Sequence, residues 1–116
     1  MNEIMKITEK LLEFRKKREW EKFHKPKDLV LSLVLEVSEL LEHFQWLTFS
    51  EAANLPSEKM LQVNEEVADV FLYLLRFCDI LHINLLEEAN KKMEINRKKY
   101  PKELVKGSAD KYTNYT

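Results

Sequence analysis

Glycine is almost missing from this chain of 116 residues: the single one is Gly107, close to the C-terminus. A P-loop or a dinucleotide-binding fingerprint needs several glycines so that backbone can approach phosphate closely, and both are excluded. If this protein handles phosphates, it does so through metal ions and side chains. Cysteine is as scarce. Cys78 alone allows no intrachain disulfide, and its setting "RFCDIL" reads as an apolar helical core position. An excess of one charge is lacking too. The formal net charge is −1, so nothing global points to a nucleic-acid polymer or a membrane surface as partner. No apolar run is long enough to span a bilayer, and the opening "MNEIMKITEK" does not read as a signal peptide, so a cytoplasmic location is expected.

What is present is helical. Hydrophobic residues make up 45% and charged residues 34%, the balance of a soluble single domain. Residues 1–104 are expected to form that domain and 105–116 a polar tail. Ile4, Ile7, Leu11, Phe14 and Arg18 keep an i, i+3, i+4 rhythm that predicts a first helix from about Glu3 to His24. "KPKD" breaks the rhythm, and a second helix follows from Lys27 or Asp28 to between Phe44 and Trp46. A short helical turn can begin at Ser50. Ser57 is the expected cap of a third long helix, Glu58 to Leu81, and Asn84 the cap of a fourth, Leu85 to Lys99. Tyr100 precedes Pro101, which ends it. Long helices with short connections predict an all-α fold, an antiparallel four-helix bundle. The second helix, however, is apolar almost all round. Val30, Leu31, Val34, Leu35, Val37 and Leu41 cover its side away from its carboxylates, and Phe71, Leu72, Leu74 and Leu75 give the third long helix a wide apolar arc. Such helices are buried helices, so burial against a second copy, in a homo-oligomer, is expected.

Those same helices carry acids. Glu36 and Glu39 lie three residues apart on one, Glu66 and Asp69 on the other. Residues at i and i+3 are helical neighbours, so each pair aims two carboxylates at one region. Ser32 and His43 share the first stripe; Gln62, Tyr73 and Arg76 extend the second. E-x-x-E by itself is common on solvated helix faces. Two such pairs on two apolar helices are less easily dismissed, because a buried unpaired carboxylate costs several kcal/mol, roughly, even after relaxation. Cations would neutralise them, and an all-oxygen donor set suits Mg²⁺ or Mn²⁺. Magnesium takes part of its shell from substrate phosphates, which makes a nucleoside triphosphate a natural partner. A di-iron carboxylate site wants two E-x-x-H motifs, and Glu39 stands four residues from His43. Zinc prefers histidine and cysteine, and His24, His43 and His82 are scattered.

"EVSE", 26 intervening residues, then "EVAD" resembles the E-x-x-E … E-x-x-D arrangement of the MazG-like all-α nucleotide pyrophosphohydrolases. "REWEKFHKPKDLVLSLVLEVSELLEHFQW", "EEVADVFLYLL", "KMEINRKKYP" and "KYT" extend the likeness over nearly the whole chain, to the dCTP pyrophosphatase branch. The resemblance implies hydrolysis of a (deoxy)nucleoside triphosphate, dCTP or a modified pyrimidine deoxynucleotide, to the monophosphate and pyrophosphate. It implies Glu36, Glu39, Glu66 and Asp69 as Mg²⁺ ligands and Glu39 as acceptor of the attacking water's proton. It implies Lys92 and Asn96 as contacts to phosphate and sugar, with Arg97 in the same signature, and Lys111 and Tyr112 closing from the tail. Trp20 and Trp46 match aromatic positions around the base, and Tyr73 can reach the sugar. A broad-specificity triphosphate pyrophosphohydrolase, or a non-catalytic helical oligomer that binds a nucleotide or a partner protein, are the competing readings.

The chain also departs from that branch. Leu11 stands where relatives can carry a histidine near the base, which bears on cytosine preference. Leu35 and Ser38 stand where relatives can have glycine. His43 takes a position that is apolar in close relatives and falls on the carboxylate stripe. His24, in the "W-E-x-F-H" string, reads as a structural residue at a helix end.

Overall fold

A computed structural model describes residues 2–20 and 24–102. The described residues form five helices and no strand: α1 (Glu3–Lys17), α2 (Pro26–Glu42), α3 (Phe49–Ala53), α4 (Ser57–Ile80) and α5 (Leu85–Lys99). The all-α expectation holds. The chain divides into two compact units, the first spanning Met1–His82 and the second Ile83–Thr116. No helix among the described residues is long and apolar enough to cross a membrane.

Each helix start has a local cause. The Asn2 side chain accepts from the Met5 N–H at 2.8 Å and caps α1. Pro26 opens α2, where its fixed φ suits the first turn and its missing N–H leaves nothing unsatisfied. Thr48 and Glu51 form a reciprocal capping box on α3, so this helix starts before the expected Ser50. Ser57 is the first residue of α4 rather than its cap; Pro56 takes that position. Asn84 caps α5 by accepting from Glu87 N–H at 3.1 Å, as its sequence indicates.

The first helix corrects the expectation most. It ends at Lys17, well short of His24. Glu19 turns left-handed, with φ of 54°. Trp20 N–H donates to the Arg15 carbonyl at 3.2 Å, and Glu19 N–H to the Lys16 carbonyl at 3.2 Å. These two bonds are a Schellman stop. The motif also calls for an apolar contact across the turn, and Trp20 meets Phe14 edge-on, ring centroids 5.7 Å apart. Glycine ordinarily takes the left-handed place, so its absence hides this stop from a pattern search. His82 repeats the device beyond α4, with φ of 57°.

In the first unit α2 packs along α4, and α1 packs against α4. Leu29, Val63, Leu75 and Cys78 form its buried apolar core. Leu29 and Leu75 are almost wholly enclosed, worth about 1.5–3 kcal/mol each. Cys78 is a core thiol as expected, and burial pushes its pKa up, away from reactivity. The far side of α2 is different. Val30, Leu31, Val34, Leu35, Val37 and Leu41 are all exposed, Leu35 to 64%. In the second unit α5 presents exposed charge along its length, with Lys91 between Glu87 and Glu88 at 3.1 and 3.5 Å.

Candidate metal centre

The facing sides of α2 and α4 hold the acids. One oxygen each of Glu36, Glu39 and Glu66 lies within 4.8 Å of the others. Asp69 stands outside that group, yet close enough for its charge to act on Glu36 and Glu66. His43, at the C-terminal end of α2, brings Nε2 to 4.0 Å from Glu66 Oε1. Glu36 thus senses Asp69, while Glu39 and His43 meet Glu66, one turn earlier on α4. That crossed order is the register of an antiparallel helix pair.

Burial first, then the charges of Glu39 and Asp69, push Glu36 up to about 7. Glu66 is raised as well, by burial and by Glu39, with His43 acting in the opposite sense. Glu39 lies within hydrogen-bonding reach of both, and its proximity disfavours the ionised forms of Glu36 and Glu66. Two oxygens are more telling. Glu36 Oε2 and Glu66 Oε2 are buried without a hydrogen-bond partner. Buried polar atoms are nearly always satisfied. A hard divalent cation would supply both the electron-pair acceptor and the positive charge that these oxygens accommodate. The donor set, carboxylate oxygen alone, contains nothing soft enough to favour zinc.

The other expected site residues are spread more widely. Trp20 is half-exposed, its ring fixed by Phe14 and by the Arg18 guanidinium, which sits 3.7 Å from the Phe14 ring centre. Trp46 is 87% exposed and Phe49 98%. Trp46 lies in the linker to α3 and Phe49 opens that helix; a pocket lies among Leu47, Glu51, Asn54, Leu55, Pro56 and Lys59. Tyr73 is half-buried one turn beyond Asp69. Lys92 and Asn96 are exposed on α5, and Arg97 Nε donates to Glu94 at 2.8 Å. Lys111 and Tyr112 lie outside the described residues. His24 brings its Nε2 to 2.9 Å from Arg15 Nη1. Sequence reasoning passed over Arg15 and gave Arg76 no role of its own, yet both are buried. The available signal for Arg15 was its place four residues after Leu11, on the inward stripe of α1.

The chain matches the model of the MazG-like family over residues 31–114. It is 41% identical over 104 residues to dCTP pyrophosphatase 1 of Mus musculus, which covers 88% of this chain and 61% of that protein. Over 105 residues it is 43% identical to dCTP pyrophosphatase 1 of Rattus norvegicus, again 88% of this chain and 61% of the relative. The chain therefore spans about 61% of the length of these curated relatives. The crystal structure of a pyrophosphatase from Archaeoglobus fulgidus DSM 4304 superposes with a TM-score of 0.82 at 42% identity, covering 87% of this chain and 94% of that one.

Proposed function

The chain belongs to the MazG-like family, and from that membership we propose that it hydrolyses a (deoxy)nucleoside triphosphate to the monophosphate and pyrophosphate. dCTP or a modified pyrimidine deoxynucleotide is the preferred substrate. The observation that carries this reading is the carboxylate cluster with its two buried, unpartnered oxygens, Glu36 Oε2 and Glu66 Oε2. It occurs on the "EVSE" and "EVAD" segments that the resemblance singles out, in a chain similar to enzymes named for dCTP pyrophosphatase activity.

Glu36, Glu39, Glu66 and Asp69 would hold Mg²⁺, with Mn²⁺ as the alternative. Such an ion, when bound, offsets phosphate charge and acidifies water. Glu39 would take the proton of the attacking water; its exposure, against the half-buried Glu36 and Glu66, supports that role. Water adds at phosphorus, the bridging P–O bond between the α and β phosphates breaks, and pyrophosphate leaves. Trp20 and Trp46 offer flat faces to the base, and stacking of this kind is worth about 1–3 kcal/mol. Tyr73 lies against the sugar and disfavours a 2′-hydroxyl. Lys92 and Asn96 contact phosphate and sugar, and Arg97 exchanges Glu94 for substrate. Lys111 and Tyr112 complete the phosphate contacts.

The working form is a homo-oligomer of four-helix bundles, in the cytoplasm, and the exposed apolar side of α2 supports association. Single exposed leucines need no explanation, but a contiguous apolar helix face does. The decisive assay is incubation with dCTP and Mg²⁺, reading dCMP and pyrophosphate. Absence of turnover across the common ribo- and deoxyribonucleoside triphosphates, with either metal, would overturn the proposal.

A further inference from the structure

Two arginines lie inside the first unit. Arg15 on α1 is 6% exposed and Arg76 on α4 is 7% exposed. Arginine is almost never enclosed to this degree unless it is paired. Arg76 has one partner, donating from Nη1 to Asp79 Oδ2 at 3.0 Å. Arg15 meets no carboxylate among the described residues; its Nη1 lies 2.9 Å from His24 Nε2.

That contact fixes the histidine. A guanidinium carries only donors, so Nε2 of His24 accepts and the ring proton resides on Nδ1. Three buried N–H groups follow: Arg15 Nε, His24 Nδ1 and Arg76 Nε, none with a partner. All three are donors. Among the described residues, two guanidinium charges stand against the single carboxylate of Asp79, which leaves one positive charge uncompensated there. Burial and then the charge of Arg76 lower the pKa of Arg15, and only Tyr73 acts in the other direction.

Orphan buried donors destabilise the folded chain, and an unpaired buried charge does so more strongly. Leucine or methionine would fill the same space without that penalty. The missing component has a definite chemistry: negative charge and several oxygen lone pairs. We propose that Arg15, His24 and Arg76 form a binding site for a small oxyanion, a phosphate or carboxylate group. It is separate from the acidic cluster. Arg76 lies seven residues past Asp69 on α4, about 10 Å along a helix axis. Away from bulk water, charge-assisted hydrogen bonds from arginine are at their strongest.

The test uses the whole chain freed of divalent cations on a chelating resin, with chloride as the only anion at the start, so that no cation can recruit phosphate to the carboxylates. Inorganic phosphate is titrated in one arm and acetate in the other, each matched to chloride at equal ionic strength. The expected result is a rise of several degrees in melting temperature and saturable calorimetric binding of one anion per chain. The arm that responds more strongly identifies the oxyanion class. Arg15→Met should weaken binding by about tenfold or more, while Glu39→Gln, altered only at the acidic cluster, should respond like the unmodified protein. Arg76→Met gives the same reading if Arg15→Met does not fold. No response to either anion beyond chloride, or an undiminished response in the arginine variants, would overturn the site. The outcome is independent of the hydrolysis assay, which needs the metal excluded here.

Discussion

Glu36 titrates near neutrality because it is half-buried among other acids. Its folded pKa of about 7 lies above its unfolded value, so the metal-free folded protein holds a proton that the unfolded chain releases. The stabilisation is fully present below the ordinary glutamate range and is lost as pH rises through about 7. Glu66 shifts in the same direction. Metal-free protein should therefore melt at falling temperature as pH is raised from about 4.5 to about 7, and Mg²⁺ should flatten that slope. Melting curves in EDTA and in Mg²⁺ across this range decide the matter. Glu39→Gln should lower kcat by about 10²-fold or more, the usual contribution of a general base. The variant should also be more stable than the parent in EDTA, because one of the repelling charges is gone; retained turnover would place the base elsewhere. The four acids were legible in the sequence because helical spacing alone aligns them. The exclusion of Asp69 from the tight group was not, since a one-turn offset depends on how α2 and α4 register. Arg15 was missed for a different reason: hydropathy assigns a guanidinium to the surface and outweighs its helical spacing from Leu11, and the packed helices show it enclosed.

At the scale of the element, most helices could be drawn from their punctuation. Asn84 and the Tyr100-Pro101 pair bracket α5 as read from the sequence. The end of α1 could not be drawn, because its stop is made by backbone bonds around a left-handed glutamate that carries no compositional mark. Left-handed geometry costs a non-glycine residue roughly 1–2 kcal/mol, and glycine gives back about 0.5–1 kcal/mol through its freer unfolded chain. The difference favours relief. Glu19→Gly should stabilise the protein by about 0.5–1 kcal/mol, seen as a later denaturation midpoint with unchanged slope. A loss of stability would mean that the Glu19 side chain makes a compensating contact.

For the whole molecule, the apolar side of α2 dominates. The sequence showed which residues form it, and the structure finds all six exposed in a single chain. Composition cannot say what covers them, because that depends on a second surface. Leu35→Glu should shift the protein to a smaller species by light scattering, with helical content retained. An unchanged mass would remove α2 from the interface. The core itself, Leu29, Val63, Leu75 and Cys78, is modest for the first unit, so association and stability should rise and fall together with protein concentration.

The Schellman turn at Trp20 links two properties that are usually adjusted one at a time. The indole that closes the end of α1 against Phe14 is also the ring proposed to meet the base. Selectivity and foldability therefore share one side chain. Replacing Trp20 to retune base choice also loosens the stop at the end of α1, so a mutant with altered preference carries a thermodynamic handicap that its kinetic constants alone would conceal.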